Sequence, residues 1–598
     1  MITELDEPAQ TVRSTAELVV ITERVDDVAL LLGHMIKMGV VEVLDHHLPQ
    51  HWKQRGLSWG WTAVIWLAYI LTEGDHRKVS VEAYVKGMKQ TLSHVTGQAI
   101  DPLDFSDDRL AVLLKYLSQP AYWHPIEQEL NERSVQVYDL VVEVIRCDAT
   151  TVSAYHEVVD GGLVQFGYSK DDPSRPQIKL MTGAVDPLGM PLATAVVSGE
   201  RADDGLYMPV IDRLAAGFKR TGLLFVGACK LSALETRAQL VEHQHYYQSP
   251  LPLPGTTAQQ MDDWINQGVA QAQAGELQPI GRTAAAEAVV IAQGYEFERP
   301  CTAATEAVAP LQWTERVLVI HSATQADQQA AGVERRLATA EQQLRALTPP
   351  RGRGQRQITD DTKLQEAIAK VLKTHRVEGF LTVTYDRQVR QQRKYRGRGR
   401  GAAHRPSHVI ETVRYQITAV VRQEDQIAAQ KERFGWKAFV TNAPTARLSL
   451  AEAVLCYRHE YRIERIFNRL KSRLEIAPLF VKRDDQIQGL IYLLTLGVRV
   501  LTVMEFTLRR SLQQDQATLP GLHLENRKKQ TDKPTAERLL KAFDPISLTI
   551  IQDAAGNEIR RWLTPLPAVQ QDILYRLGRD PDLYWQLEIQ HRSIRLSE

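Results

Sequence analysis

The chain of 598 residues balances 72 Lys and Arg against 72 Asp and Glu, and its length exceeds what one hydrophobic core serves, so more than one domain is expected. Apolar residues make up 44% and charged residues 24%, which excludes a disordered, collagenous or disulfide-built chain. The four cysteines, Cys147, Cys229, Cys301 and Cys456, form no C-x-x-C pair, so no zinc ribbon is expected either. The opening MITELDEPAQTV is acidic and lacks the apolar run of a secretory signal. The most apolar stretch, 489–504, is interrupted by Arg499 and is too short to span a bilayer. A cytoplasmic protein with no membrane partner is the expectation.

Residues 25–135 predict a helical N-terminal domain over 1–136. VDDVALLLGHMIKMGVVEVLDHHL, GWTAVIWLAYILTEG and DDRLAVLLKYLSQPAYW repeat apolar residues at i, i+3, i+4 and i+7, and Ser106 reads as the N-cap of the third. The period then changes. VYDLVVEVIRCDATTV (137–152) and IKLMTGAVDPLGMPLATAVVSGE (178–200) are β-branched and punctuated by Pro-Leu-Gly, as strands are. A helix over 209–220, a strand over 222–230 and a helix over 231–243 follow, predicting a mixed α/β layer over 137–245. Residues 246–434 read as an inserted domain: a Pro-rich linker YYQSPLPLPGT, a helix over 332–347, and two strands, RVEGFLTVTYDRQV and HVIETVRYQITAVV, flanking a basic loop. GWKAFVTNAP predicts a core strand again and opens 435–510, where one long helix runs from Leu450 to Leu474 and an apolar helix covers 486–508. A helical C-terminal region, 511–598, closes the chain.

Three features carry chemistry. Asp148 ends the apolar strand LVVEVIRCD, where a carboxylate is costly unless solvated, paired or bound to a metal; a plain strand-ending acid would look the same. Cys147 and Cys229 are expected to turn into the core, because alternation puts neighbours on opposite faces. On a helix turning about 100° per residue, residues 457–471 resolve into three sides. Ile463, Ile466, Phe467 and Leu470 form a core stripe; Tyr457, Glu460, Glu464 and Lys471 flank it; Arg458, Arg462, Arg465 and Arg469 form a basic side. Acids beside the core with arginines alongside suit a metal-and-phosphate site, although an exposed helix laced with Glu–Arg pairs would show the same residues. The third feature is the acid-free run 387–405, with Arg387, Arg390, Arg393, Lys394, Arg396, Arg398, Arg400 and Arg405 among glycines and Tyr395. Such a loop suits phosphate tracking or minor-groove insertion, and RGRGQR (351–356) is a weaker candidate. Neither contains the GK[ST] of a nucleotide-binding loop. His46, His47, His243 and His245 lack partner ligands and are expected at the surface.

Together, the strand-borne Asp148, FVGACKLSALETRAQL, IERIFNRLK, DPLGMPLATAVVSGERADD and GLIYLLTLGVRVL resemble the Asp-Asp-Glu transposases of bacterial insertion sequences, within them the insertion-sequence-four-like group. The likeness covers residues 140–245 and 435–510, and the N-terminal region more loosely. It implies an α/β fold, an RNase H-like mixed sheet flanked by helices and split by an inserted domain, with helical regions at both ends and a DNA-binding N-terminal domain. It implies a homodimer in the bacterial cytoplasm, at the nucleoid, that binds terminal inverted repeats and target double-stranded DNA. That enzyme would cut and paste by metal-dependent strand cleavage and transfer, with two Mg²⁺ ions (Mn²⁺ as substitute) and no nucleotide cofactor.

Residue by residue, Asp148 matches the first catalytic aspartate and Glu464 the catalytic glutamate, and both would hold metal. The family's late-helix signature is Tyr, two residues, Arg, three residues, Glu, six residues, Lys. Tyr457, Glu464 and Lys471 fit it, but Glu460 stands where Arg is expected, leaving Arg458 and Arg462 to supply that phosphate contact. The second aspartate is missing: Gly-Asp-Cys-Lys reads here Gly227-Ala228-Cys229-Lys230, and Asp203, Asp204 and Asp212 lie in another loop or helix. The chain is therefore expected to be an impaired variant, by engineered substitution or natural decay; a non-catalytic DNA-binding protein derived from a transposase is the alternative. Three carboxylates are wanted because two Mg²⁺ ions, about 3.5–4 Å apart, stabilise the attacking and leaving oxygens of phosphodiester transfer.

Overall fold

The computed structural model describes residues 18–50, 55–169, 171–252, 256–282, 289–304, 310–352, 355, 357–395, 407–523, 525–526 and 528–589. The chain forms two compact units, one of residues 1–248, 302–311 and 457–598, the other of residues 249–301 and 312–456.

In the first unit, β1 (Val19–Arg24) leads into a run of helices that ends with Pro120–Tyr138. Ser58 caps the apolar helix Trp59–Glu73 by accepting from the Trp61 amide. Ser106 does precede helix Asp107–Leu117, but its hydroxyl makes no capping bond. Because the last of these helices runs to Tyr138, the strand expected from Val137 starts at Val144 instead. Five strands then lie side by side: β2 (Val144–Ser153), β3 (Gln177–Asp186), β4 (Met190–Ser198), β5 (Leu224–Gly227) and β6 (Tyr246–Pro250). Their order is β4-β3-β2-β5-β6. The first three are antiparallel, β3 and β4 being joined at Pro187-Leu188-Gly189, while β5 and β6 run parallel to β2. Parallel neighbours need crossovers, which helices Tyr207–Phe218 and Leu234–Glu242 supply. This is the expected mixed sheet flanked by helices. The expected linker at 246 begins instead with β6, whose Tyr247, Gln248 and Ser249 are buried.

The second unit contains β7 (Gln278–Gly281), β8 (Val290–Ala303), β9 (Leu311–His321), β10 (Leu381–Tyr395), β11 (Ser407–Arg422) and β12 (Trp436–Thr441). Strands β12, β9, β8 and β7 lie side by side in that order, with Trp436 opposite His321 and Thr441 opposite Arg316. The strand in GWKAFVTNAP, expected to return to the core over 435–510, falls within the second unit. Strands β10 and β11 make a separate two-stranded ribbon. Its base is anchored where Leu381 and Val377 join Val333, Leu337 and Leu344 of helix Ala323–Ala346 in one buried cluster.

Back in the first unit, helices Tyr461–Asn468 and Asp484–Gln514 precede β13 (Ser547–Gln552) and β14 (Glu558–Leu563). Strand β1 pairs with β13 and β13 with β14, so the C-terminal region is not wholly helical. Helix Asp484–Gln514 is long and apolar enough to cross a membrane, yet 94% of its apolar window is buried within the protein. Its partners are the N-terminal helices: Trp123 stacks on Tyr492 at 4.6 Å between centroids, and Arg499 donates to Asn131 at 2.6 Å. Burial pulls the Arg499 guanidinium down to about 10, although Glu127 acts against it.

Asp27 stands buried at the head of helix Val28–Lys37 and accepts from the Thr72 hydroxyl at 2.6 Å. Burial raises its carboxyl to about 7. A folded value above the unfolded one means stability that is complete below about pH 4 and lost as pH rises through 7. Three units correspond to about 4 kcal/mol at most. Asp27→Asn should thus raise Tm at pH 8 and change it little at pH 4, as thermal denaturation at the two values will test.

Candidate functional site

Strand β2 pairs with β3 along its whole length, Asp148 opposite Thr182, but with β5 only from Val144↔Leu224 to Cys147↔Gly227. Past that point the chain leaves β5 at Ala228 and enters the tight turn Cys229–Ser232. Asp148 is therefore mid-strand in β2, not at its end, yet it sits where the parallel ladder stops and the sheet opens. The carboxyl end of a parallel strand is where open α/β sheets place ligands. Gly227 makes the close turn possible: a Cβ there would meet Leu231 and Tyr207 at 3.0 Å and the Cys147 carbonyl at 3.1 Å. Cys147 is buried, and burial followed by Asp148 pushes its thiol up. Cys229 is exposed, against expectation, because it begins the turn rather than continuing the strand.

Asp148, Ala228, Tyr457 and Glu460 line one small cavity together with Arg146 and Ile463. It measures about 10 Å³, roughly the space of one water molecule or small ion. Burial raises the Tyr457 phenol well above its ordinary value, with Glu460 next, through charge and a side-chain hydrogen bond, then Cys229 and Asp148. Tyr457 thus stays protonated beside two carboxylates. Glu464, the expected third acid, does not line this cavity and is exposed one turn further on.

The expected single helix over 450–474 is three segments, Leu450–Arg458, Tyr461–Asn468 and a wide turn at Arg469–Arg473. Between the first two, the amides of Glu460, Arg462 and Ile463 bond three residues back, to Tyr457, His459 and Glu460. Such a turn winds about 120° per residue rather than 100°. Each tightened residue therefore rotates the rest of the helix by roughly a further 20°, turning Glu464 away and leaving Glu460 at the cavity.

The arginines of this segment are mostly clasped by acids. Arg462 donates to Asp186 at 2.7 Å, and Arg146, 3% exposed, holds the same carboxylate at 3.0 and 3.2 Å. Burial acts to raise Asp186, but the hydrogen bonds and charges of Arg146 and Arg462 outweigh it and hold the carboxyl below its usual range. Arg465 and Arg469 each reach the buried Glu505 at 2.6 Å. Lys471 pairs with Asp171 at 2.7 Å, and Arg458 is exposed. Arg462, expected to stand in for the signature's missing arginine, is thus engaged by Asp186. The acids near Ala228 are engaged as well, Asp203 with Lys179 at 2.7 Å, Asp204 with Lys230 at 3.7 Å and Asp212 with His243 at 3.2 Å.

The basic run is a strand as far as Tyr395, not a loop from Arg387. Strands β10 and β11 pair from Leu381↔Arg422 to Tyr395↔Ser407, a ribbon roughly 50 Å long at about 3.3 Å per residue. Alternation puts Arg390 and Lys394 on one face with His408 and Arg414, and Arg387 and Arg393 on the other with Val389, Tyr395 and Val409. All four cations of β10 are exposed. Arg396, Arg398, Arg400 and Arg405 lie outside the described residues, as do 353, 354 and 356 of the second basic stretch.

Histidine placement differs from expectation in two places. His245 is buried. His46 and His47 do meet a partner, Glu129, at 3.1 and 2.7 Å, the one His/Cys/acid group close enough for a metal among the described residues. Arg133 holds the other Glu129 oxygen at 2.8 Å, so the cluster is already charge-balanced. At the Asp148 cavity the donors are two carboxylates, which suit a hard divalent cation, while Ala228 offers no ligand. The residues present fit one such ion rather than two.

No family model and no curated protein matches the chain. Among solved structures, a piggyBac transposase synaptic complex with hairpin DNA matches over 87% of this chain and 80% of that chain, at 6% identity and a TM-score of 0.33. That likeness is too distant to carry an argument.

The Asp186 clasp is testable by stability. Asp186→Asn leaves Arg146 buried without its charge partner, and breaking a buried pair costs about 3–5 kcal/mol. A urea midpoint unchanged from the parent would mean that the clasp contributes nothing to stability.

Proposed function

We propose that the chain is a DNA-binding protein of transposase type whose carboxylate cavity is a phosphodiester-transfer site short of one ligand. The observation that carries this reading is the meeting of Asp148, Glu460 and position 228 where the parallel ladder of the mixed sheet ends. Asp148 and Glu460 would hold a divalent cation, Mg²⁺ or Mn²⁺. When bound, it would supply positive charge for the oxygens of a phosphodiester. Tyr457 would keep Glu460 oriented through its hydroxyl, and Ala228 would leave a second ion unsupported. In the fuller reading the protein acts as a homodimer on terminal inverted repeats and target DNA, in the cytoplasm at the nucleoid. The mid-strand position of Asp148 and the acid at 460 are departures from the family signature, so the metal role moves from Glu464 to Glu460.

The decisive assay uses duplexes carrying the ends of the chain's own element, with and without Mg²⁺ or Mn²⁺. The parent should bind but cut at background. Ala228→Asp should raise metal-dependent cleavage by about a hundredfold or more, since a metal ligand is worth several kcal/mol and each 1.36 kcal/mol is tenfold. Adding Glu460→Gln should abolish that gain, whereas adding Glu464→Gln should leave most of it. If Ala228→Asp binds the ends yet stays inert, the second reading, a non-catalytic DNA-binding protein, replaces this one. That second reading is favoured by the same alanine.

The ribbon supplies the DNA contact in this proposal. A two-stranded ribbon fits the major groove, and cations on both faces suit a groove walled by phosphates on either side. Replacing Arg387, Arg390, Arg393 and Lys394 by Ala should flatten the dependence of log affinity on log salt by about 0.9 per lost contact. A slope equal to the parent's would make the ribbon a bystander.

A further inference from the structure

The first unit holds a second, larger cavity of about 490 Å³ that the carboxylate site does not use. Six cations line it, Arg462, Arg465, Arg469, Arg509, Arg510 and Lys533, against a single acid, Glu505. Glu505 is 4% exposed and serves three of them at once, Arg465 and Arg469 at 2.6 Å and Arg509 at 2.8 Å, with the Ala536 amide at 3.2 Å. One carboxylate cannot neutralise three guanidiniums, and Glu537 takes only Arg469, at 2.8 Å. The imbalance registers at Arg509. Burial first, and then Arg465 and Arg469, pull its guanidinium below the usual arginine range despite Glu505. Arg510, ranged over the Phe506 ring at 5.2 Å and donating one guanidinium nitrogen to the Tyr138 carbonyl at 2.7 Å, and the exposed Lys533 complete the rim.

The two cavities share an element. Tyr461, Arg462 and Arg465 sit on helix Tyr461–Asn468, and the residue that begins that helix is Glu460. Five positions separate Glu460 from Arg465, about 7.5 Å of helical rise. One short helix therefore serves a carboxylate cavity and a cationic one.

We propose that this cavity binds a phosphate group, with Arg465, Arg509, Arg510 and Lys533 as its donors and Glu505 holding the guanidiniums apart in a fixed array. Guanidinium forks match phosphate oxygens in planar, bidentate geometry. The phosphate belongs to a DNA strand, next to the linkage presented to Asp148 and Glu460; this last assignment rests on the proposed function. Inorganic phosphate or pyrophosphate offers the same chemistry.

The test uses the full chain and the variant Arg510→Gln/Lys533→Gln, which spares the Glu505 clasp and the carboxylate cavity. Thermal melting with inorganic pyrophosphate reads the cavity alone. Fluorescence anisotropy of a 5′-phosphorylated strand, its unphosphorylated twin and a duplex, over a salt series, reads the DNA source. The expected results are a Tm increase with pyrophosphate in the parent that is lost in the variant, and a duplex salt slope lower in the variant by about 0.9 per contact. Tighter parent binding of the phosphorylated strand than of its twin, lost in the variant, would assign a terminal phosphate; equal binding with the slope change would assign an internal one. Pyrophosphate stabilisation lost in the variant, with no DNA binding by the parent, would uphold the cavity as a free-phosphate site while the DNA reading fails. Duplex binding with an unchanged slope, together with no effect of pyrophosphate on the parent, would overturn the proposal and leave the DNA reading standing. Equal pyrophosphate stabilisation in parent and variant would also overturn it.

Discussion

The arrangement around Asp148 depends on how the chain from Tyr457 to Arg473 is wound and held. Left as one regular α-helix, this segment would carry Glu460 and Glu464 on a common flank. The three-residue hydrogen bonds at 460–463 tighten the winding, and the wide turn at Arg469–Arg473 loosens it again. Neither irregularity is favourable alone, because three-residue bonds have poorer geometry than four-residue ones. The ion pairs compensate: Asp186 holds Arg462, and Glu505 holds Arg465 and Arg469. Both acids come from other elements, the β3 strand and helix Asp484–Gln514. The helix is thus pinned to the sheet on one side and to the long core helix on the other, and Glu460 is delivered to the cavity as a consequence.

Much of the first unit was legible in the chain. The β-branched runs and the Pro-Leu-Gly turn mark β2 to β4, and the apolar LLFVG marks β5, because these strands are buried and their composition reflects it. The C-terminal sheet was not legible. SLTIIQ and EIRRWL are short, and the strand that completes their sheet, β1, lies at the other end of the chain. The ribbon was half legible: RQVRQQRKY has no apolar alternation because both faces of β10 are exposed, so the strand read as a loop. At the cavity, the neighbourhood of Asp148, Ala228 and Tyr457 was expected from the motif, whereas the presence of Glu460 there in place of Glu464 was not. A helical wheel assumes constant winding, and the clasps that alter it are long-range pairs that local sequence does not encode.

The alanine gives the site its character. In the proposed reading, two carboxylates and a protonated tyrosine around a space for one ion would hold one cation without the paired-ion clamp that in-line phosphoryl transfer uses. The flanking geometry is close-packed: Gly227 permits the close turn, and Cys147, next to Asp148 in β2, is buried. Under the proposed function, a scaffold with one ligand absent would separate holding DNA from cutting it. In that reading the basic ribbon and the arginine-lined cavity would carry the binding, and the carboxylates would form an incomplete centre.

The most direct measurement of the central claim is the binding of Mn²⁺ to the full chain, followed by electron paramagnetic resonance in the absence of DNA. The account predicts a single class of Mn²⁺ site that is lost in Asp148→Asn and in Glu460→Gln and retained in Glu464→Gln. Loss of the site in Glu464→Gln, with Glu460→Gln binding as the parent does, would contradict it.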